Sequence, residues 1–285
     1  ENLGRQVAIK EYLPMGCAAR ADDSTVHPIT SASRESYEWG LERFLAEART
    51  LAQFKHRNIV HVSSVFEANN SAYIVMEYEY GRSLGSALSG GRVMGEVQLR
   101  VLFTALLDGL ELVHDAGFIH RDVKPDNIYL RDDGGPVLLD FGSARRALGV
   151  QTRTLTALVT PGFTPLEQYG GASDADDKQG PWTDIYALGA TFYRAGVGKA
   201  PADAMKRVTA VLEGHDALEP AVRAAGPNYS SAFLATIDAA LAFQPEDRPR
   251  DVAAWRAMLE VDGTSEPAAL PSGQSEEDDV GKDHE

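Results

Sequence analysis

Hydrophobic residues follow two different spacings along this chain of 285 residues. Near the start, short apolar runs at 7–9, 62–66 and 72–77 are typical of β-strands. Turn-forming residues at 68–71 separate the last two runs, which predicts a hairpin. Between 35 and 54, apolar residues recur every three or four positions, which predicts a helix of about 20 residues. The first part of the chain is therefore expected to combine a small sheet with one long helix.

Beyond Gly81 the pattern becomes mainly helical. A helix is predicted for 97–116, and Gly117 is placed to stop it. Its shared apolar face is formed by Leu99, Leu102, Leu106, Leu110 and Val113. Further helices are predicted at 182–195, 231–243 and 252–259. A small strand-rich front and a larger helical remainder predict a two-lobed α+β fold, with lobes at 1–79 and 80–260.

Acidic residues outnumber basic ones, 42 against 27, which gives a formal net charge of −15. This balance argues against binding to nucleic acid or to anionic lipid, because both rely on lysine and arginine. Residues 261–285 are acidic, rich in Gly, Pro and Ser, and have little to bury, so they are predicted to form a disordered tail. A plain solvated terminus fits this tail better than an acidic docking arm.

The chain starts at Glu1 without a signal-peptide pattern, and no run of about 18 apolar residues predicts a membrane span. Its single cysteine, Cys17, excludes an internal disulfide and fits a reducing compartment. We therefore expect a piece of a longer protein, located in the cytoplasm, with no membrane contact from this segment. The sequence leaves open whether a membrane span follows residue 285, and it indicates no oligomeric state.

Two short segments carry residues suited to phosphoryl transfer. The first, at 120–127, holds Asp122, Lys124 and Asn127, and the second places Asp140 close to a glycine. Carboxylate and amide oxygens are suitable ligands for a divalent metal that neutralises phosphate charge. A carboxylate can accept the proton of an attacking hydroxyl, and a lysine can offset charge on the moving phosphoryl group. Together these segments predict phosphate chemistry.

Both segments resemble the catalytic loop and the metal-binding loop of the protein kinases, with Val123 where leucine is usual. The resemblance implies that Asp122 orients the substrate hydroxyl and that Lys124 contacts the transferring phosphate. It also implies ATP as the phosphate donor, and Mg²⁺, or Mn²⁺ in its place, held by Asn127 and Asp140. A polar turn that matches by chance is the alternative, and the length of the match together with a second motif argues against it.

The start of the chain fits the same family. The run 7–10 resembles the strand whose lysine reaches the α- and β-phosphates of ATP, which assigns that role to Lys10. Glu47 lies on the apolar face of the helix predicted at 35–54, and a carboxylate that faces inward needs a cation. Lys10 is the natural partner, and a surface pair of Glu47 with Arg43 is the alternative. The resemblance favours the internal pair.

Adenine binding is implied for a neighbouring stretch. The run 73–80 is similar to the strand and hinge that hold adenine in the family. On this resemblance Ala8 and Met76 line the adenine pocket, while Glu77 and Glu79 offer backbone groups. A simple core strand is the alternative, and it accounts for half of these side chains.

Downstream motifs of the family are matched as well. Residues 160–167 resemble the substrate loop, with Thr160 at its start and Pro-Leu-Glu where Ala-Pro-Glu is usual. The resemblance implies a structural pair between Glu167 and Arg248. It also implies that Asp184 braces the catalytic loop, for which first-turn capping of a helix is the alternative.

Three threonines, Thr152, Thr154 and Thr156, lie between the metal loop and the substrate loop. In this family the arginine before the catalytic aspartate, here Arg121, often receives an activation-loop phosphate. A phosphothreonine carries about −1.5 to −2 charges and could order the loop by bridging Arg121 and a second cation. We predict autophosphorylation on at least one of the three, and an ordinary mobile loop is the alternative.

The resemblance runs from Val7 to about Glu260 and looks like the bacterial members of the eukaryotic-like group. Lys124 and Thr160 favour serine and threonine over tyrosine as the acceptor. The chain is thus identified as the catalytic domain of a serine/threonine protein kinase that acts on protein substrates. A pseudokinase-like binding module and a small-molecule kinase are the alternatives.

Two features depart from the family pattern. The six residues before Val7 do not contain the Gly-rich loop that covers ATP in the family, and the glycines at 81–85 and 90–95 are interpreted as turns. The stretch 11–34 is interpreted as a surface excursion. Cys17 lies in it and is interpreted as an ordinary small residue rather than a redox switch.

Overall fold

The computed structural model describes residues 4–132, 135–141, 159–169 and 178–260. The predicted acidic tail at 261–285 and the three threonines Thr152, Thr154 and Thr156 lie outside these ranges. Within them, no helix is both long enough and apolar enough to cross a membrane.

An antiparallel sheet of three strands forms the first part of the fold. Its strands are β1 (Val7–Glu11), β4 (Val62–Ala68) and β5 (Ser71–Glu77), in the order β1-β5-β4. The turn between β4 and β5 consists of Asn69 and Asn70, whose φ angles of 52° and 53° are left-handed, a conformation that asparagine tolerates. The predicted hairpin and the strand predicted at 7–9 are confirmed.

Helix α1 (Arg34–Leu51) packs against this sheet. Its buried face includes Tyr37, Phe44, Ala48 and Leu51, and it meets apolar residues of β4 and β5 in one core. The helix predicted for 35–54 is confirmed, and it ends three residues earlier than expected.

The stretch 11–34, interpreted as a surface excursion, contains a second hairpin. Strands β2 (Ala18–Arg20) and β3 (Val26–Pro28) pair with each other, and Val26 is completely buried. The backbone of Val26 accepts a hydrogen bond from the Asn70 side chain and donates one to the Asn69 carbonyl. Cys17 is also buried, and burial raises the pKa of its thiol, which fits a structural residue. Most of residues 11–34 are exposed, as expected of a surface excursion, and a few buried residues anchor in it a hairpin that the sequence did not predict.

The second part of the fold is mainly helical. Its described helices are α2 (Leu84–Ala87), α3 (Glu96–Asp115), α4 (Pro181–Val197), α5 (Ala204–Leu212), α6 (Ala221–Ala224), α7 (Ser231–Ala240) and α8 (Val252–Glu260). At their centre Phe103 of α3 packs on Phe192 of α4 and on Trp255 of α8, with ring centroids 4.7 and 4.4 Å apart. Gly117 has a φ of 79° and ends α3, as predicted.

A small sheet, which the sequence did not predict, lies at the start of this part. It consists of β6 (Gly81–Ser83), β7 (Ile128–Arg131) and β8 (Pro136–Leu138), in that order. The interpretation of 81–85 as a turn is therefore wrong, since these residues form β6 and the start of α2. The two-lobed α+β fold itself is confirmed.

Candidate active site

The predicted catalytic loop brings its polar side chains into direct contact. The Lys124 ammonium lies 2.9 and 2.8 Å from the two carboxylate oxygens of Asp122. The Asn127 side chain donates to the same carboxylate at 2.8 Å and to the Asp122 carbonyl at 2.9 Å. Lys124 also reaches the Thr160 hydroxyl, at 3.4 Å, so the substrate loop lies beside these groups.

Asp184, in the first turn of α4, anchors the backbone of the catalytic loop. It is completely buried, and its carboxylate accepts hydrogen bonds from the backbone N–H groups of His120 and Arg121, each at 2.8 Å. The His114 imidazole contacts it at 2.8 Å. Burial alone would raise the pKa of Asp184, but the hydrogen bonds and charge around it lower the pKa below its usual value. His114 was missed by sequence reasoning, because a histidine in the last turn of a helix commonly caps it.

His120 links the catalytic loop to the metal loop. Burial lowers the pKa of His120, so the ring is neutral and its Nε2–H donates to the Leu139 carbonyl at 2.9 Å. The ring stacks on Phe141 with centroids 4.3 Å apart. The Leu139 N–H in turn donates to the Asn127 carbonyl at 2.8 Å. The two loops therefore form one connected structure.

Lys10 meets the site from strand β1. Its ammonium lies 3.0 Å from Asp140 and 3.7 Å from Glu47, whose side chain is 1% exposed. Burial disfavours the charged lysine, but the two carboxylates outweigh it and raise the pKa of Lys10 above its usual value. Asp140 has a φ of 43°, a left-handed conformation that is uncommon outside glycine and is found most often at functional sites.

The residues expected around adenine lie on β1, on β5 and just after the end of β5. Ala8 and Met76 are paired across β1 and β5, and Met76 packs against the first core. Glu77 ends β5. The Glu79 carboxylate makes an ion pair with Arg131, with one N–O distance of 2.6 Å, so its side chain is engaged by β7. Arg131 is a further residue that sequence reasoning missed.

Glu167 and Arg248, which were predicted to pair, form a buried ion pair away from the catalytic loop. The Arg248 guanidinium donates to Glu167 at 2.7 and 3.3 Å, and both side chains are almost fully buried. Arg248 also donates to the carbonyls of Ala242 and Phe243 and lies 4.7 Å above the Tyr186 ring. With most of its donors engaged, this pair joins the substrate loop to α4 and to the end of α7.

Arg121 occupies a strained position directly before Asp122. Its φ of 68° is left-handed, and its guanidinium donates to the Gln179 side chain at 3.1 Å. Gln168 donates to the Arg121 carbonyl at 3.0 Å, which ties the substrate loop to the catalytic loop. The threonines whose phosphate Arg121 is expected to bind lie outside the described residues.

The oxygen atoms of Asp140 and Asn127 are the ones that fit a divalent cation. The Asn127 NH₂ group makes the hydrogen bonds to Asp122, which leaves its carbonyl oxygen as the atom available for a cation. Among the described residues there is no group of three or more His, Cys, Asp or Glu side chains that could hold a metal ion by itself. Two hard oxygen ligands suit Mg²⁺, which normally completes its shell with water and substrate phosphates.

Comparison with known proteins agrees with this geometry. The protein kinase domain family matches residues 19–258. The serine/threonine-protein kinase PknA of Nostoc sp. is 32% identical over 247 residues, which cover 84% of this chain and 42% of PknA. PknK of Mycobacterium tuberculosis is 37% identical over 218 residues, covering 75% of this chain and 19% of PknK.

A solved structure, the apo form of PpkA-294, is 35% identical and superposes with a TM-score of 0.79. The superposition covers 89% of this chain and 86% of that one. The chain spans 42% of the length of PknA and 63% of the length of PknL, so it corresponds to one part of these curated relatives. The chain therefore belongs to the protein kinase domain family.

Proposed function

We propose that this chain transfers the γ-phosphate of Mg²⁺-bound ATP to serine and threonine hydroxyls of protein substrates. The observation that carries the proposal is the placement of the predicted groups on two loops that His120 connects, with Lys10 against Asp140 and with Lys124 and Asn127 against Asp122. These side chains supply the cations, the base and the metal ligands that phosphoryl transfer needs.

Asp122 is the group that receives the hydroxyl proton of the substrate. Lys124 and Asn127 both donate to its carboxylate, which holds the oxygens in one orientation. Lys124 remains close enough to the substrate loop to offset negative charge on the phosphoryl group as it moves. Thr160 lies against Lys124, where the acceptor residue of a protein substrate would be positioned.

Lys10 is proposed to bind the α- and β-phosphates of ATP, with Glu47 holding its ammonium in place. Ala8, Met76 and the backbone at 77–79 are proposed to receive adenine. When bound, the divalent metal at Asp140 and Asn127 supplies positive charge that neutralises the phosphate oxygens.

Regulation by phosphorylation is proposed for the segment between the metal loop and the substrate loop. We expect phosphate on at least one of Thr152, Thr154 and Thr156, paired with Arg121. Intact-mass and peptide spectrometry on the wild type and on Asp140→Asn tests this. Phosphate on these threonines in the wild type alone is the expected result, and an active enzyme without it contradicts the proposal.

A non-catalytic pseudokinase-like module is the less favoured function. Such a module would tolerate loss of the lysine, the base or the metal ligands, yet all of them are present here. Lys10 is paired with Asp140. Asp122 is hydrogen-bonded to Lys124 and Asn127. A small-molecule kinase is disfavoured because residues 160–167 match a protein-substrate loop. The proposed partners are therefore proteins with accessible serine or threonine, in the cytoplasm, and not nucleic acid.

A phosphotransfer assay tests the function directly. The chain is incubated with labelled ATP, Mg²⁺ and casein, beside the variant Asp122→Asn, which keeps the shape of the side chain but removes the base. We expect label on serine and threonine with the wild type and a loss of at least about 100-fold with the variant. Wild-type turnover by the variant, or no transfer by the wild type to casein or to itself, contradicts the proposal.

A further inference from the structure

Helix α1 carries a glycine at a position that has no room for a side chain. A Cβ atom at Gly40 would lie 2.2 Å from the hydroxyl oxygen of Tyr12 and 3.1 Å from the ring carbon that bears it. Glycine inside a helix destabilises it by about 1 kcal/mol relative to alanine. A glycine in the middle of α1 therefore indicates close packing against Tyr12.

Tyr12 is held firmly on the sheet side of this contact. It follows β1 directly, and its N–H donates to the Ala72 carbonyl of β5 at 2.9 Å. The Ser71 hydroxyl donates to the Tyr12 carbonyl at 2.6 Å. The Tyr12 side chain is 4% exposed, and its hydroxyl donates to the Tyr37 carbonyl of α1 at 3.1 Å. One side chain thus connects the sheet to the helix.

The same contact leads to the ion pair at the active site. Tyr12 lies two residues after Lys10, so the two side chains leave the strand on the same side. The Phe44 ring lies 5.6 Å from the Tyr12 ring and 5.9 Å from the Lys10 ammonium. Glu47 follows Phe44 by three residues on the same face of α1. The contact of α1 with Tyr12 therefore lies on the same face of the helix as the Glu47 carboxylate.

We propose that Tyr12 is a positioning residue, which sets the distance of helix α1 from the sheet and so brings Glu47 to Lys10. Gly40 is the complementary half of the device, since it lets the helix approach the phenol. The inference rests on the proposed role of Lys10 in ATP binding, and it adds a chain-specific feature that controls the geometry of that lysine. An ordinary core tyrosine would contribute stability without controlling this distance.

Four proteins test the proposal: the wild type, Gly40→Ala, Tyr12→Phe, and the double variant. Gly40→Ala adds one methyl group that meets the phenol oxygen and displaces the helix. Tyr12→Phe removes that oxygen and leaves the ring carbon at 3.1 Å as the nearest atom, so it should relieve most of the clash in the double variant. Gly109→Ala in α3 is the matched control, because a Cβ there meets its nearest atom at 3.4 Å, an ordinary contact.

Kinetic constants for ATP give the first readout. We expect Gly40→Ala to lower kcat/KM for ATP at least about tenfold, because a displacement of about 1 Å at a phosphate-binding group is costly. The double variant should return to within about threefold of the wild type, and Gly109→Ala should not change. A double variant as impaired as Gly40→Ala, or a Gly40→Ala enzyme equal to the wild type, overturns the proposal.

Crystal structures of the same proteins give a readout that does not depend on turnover. We expect the distance from Lys10 to Glu47 to lengthen beyond 3.7 Å in Gly40→Ala and to be restored in the double variant. This result separates a failure of the positioning role from a failure of the proposed kinase activity. If Gly40→Ala does not fold, the double variant decides: it must fold with the ion pair intact, and a folded double variant with a broken pair contradicts the proposal.

Discussion

The candidate active site draws its residues from two parts of the fold, the sheet with helix α1 (the sheet side) and the mainly helical part (the helical side). The two sides are held together in different ways. On the helical side, the backbone of the catalytic loop is bonded to the buried carboxylate of Asp184 at 2.8 Å, and His120 joins that loop to the metal loop. On the sheet side, Lys10 and Glu47 are 3.7 Å apart, longer than a hydrogen bond. Strand β1 pairs with β5 alone among the described strands, and its Val7 and Ile9 are 44% and 59% exposed.

This difference indicates a division of tasks. Groups that must be oriented before the reaction, such as the Asp122 carboxylate, belong to a network of short, buried hydrogen bonds that costs no reorganisation during catalysis. Lys10, which we propose binds phosphate, makes a longer contact with Glu47, and we infer that this contact depends on the position of helix α1. We therefore expect the helical side to be pre-organised and the sheet side to adjust when nucleotide binds.

The strongest test of the helical side is Asp184→Ala. Its loss leaves two backbone N–H groups and His114 without a buried charged acceptor, so we expect the free energy of unfolding to fall by about 3–5 kcal/mol. Urea denaturation measures this, and Asp132→Ala, at an exposed aspartate, serves as the control with a change below about 0.5 kcal/mol. A loss below about 1 kcal/mol at Asp184 would show that the loop does not depend on this brace.

Lys10→Met probes the sheet side and should separate activity from stability. Methionine keeps much of the apolar stem but removes the charge that meets Asp140 and Glu47. We expect phosphotransfer to fall at least about 100-fold while the folded structure is retained. Steady-state kinetics with circular dichroism decides it, and unchanged turnover would mean that the lysine has been assigned wrongly.

The sequence predicts most of this architecture but not its detailed contacts. Periodicity places α1 and α3 well, because each buries a continuous apolar face. Periodicity does not predict the hairpin β2–β3, because Val26 is an isolated apolar residue whose burial depends on contacts with the distant turn at Asn69. Periodicity does not predict the sheet β6–β7–β8 either, because strands of three or four residues are too short to show a repeating pattern.

Motifs identify the residues of the candidate site, and tertiary packing supplies the rest. The segment 120–127 carries a recognisable pattern, so Asp122, Lys124 and Asn127 could be named in advance. Tyr12 belongs to no such pattern. Its proposed positioning role follows from the packing, because a Cβ placed on Gly40 would lie 2.2 Å from the Tyr12 hydroxyl oxygen. Helix α7 ends at Ala240, short of the predicted residue 243, so the sequence overestimates its length.

The neutral state of His120 predicts a pH dependence of the helical side. Because the folded protein lowers the pKa of His120, the unfolded chain binds more protons below the ordinary histidine pKa of about 6.5. The contribution of His120 to the free energy of unfolding is therefore complete above about pH 6.5. It falls with decreasing pH by up to about 1.4 kcal/mol per pH unit. Urea denaturation between pH 7 and 5 should give a shallower dependence for His120→Phe than for the wild type, and identical slopes would contradict this assignment.

The smallest effect is expected at an ion pair outside the buried network. Lys199 and Glu219 lie 3.1 Å apart, yet their side chains are 65% and 53% exposed. Lys199→Ala should change the free energy of unfolding by less than about 0.5 kcal/mol, because solvent and salt screen exposed pairs. A loss comparable with that of Asp184→Ala would mean that the number of ion pairs, rather than their burial, stabilises this side.

Hydrogen exchange measured by mass spectrometry, with and without Mg²⁺ and a non-hydrolysable ATP analogue, tests the division between the two sides most directly. Without nucleotide, the amides of His120 and Arg121 should exchange slowly, near the rate set by global unfolding, and those at 7–10 should exchange much faster. Nucleotide should slow exchange at 7–10 and 44–51 and leave 118–128 unchanged. Equal protection of both sides before nucleotide is added, or a catalytic loop that becomes protected only when nucleotide binds, would contradict the account.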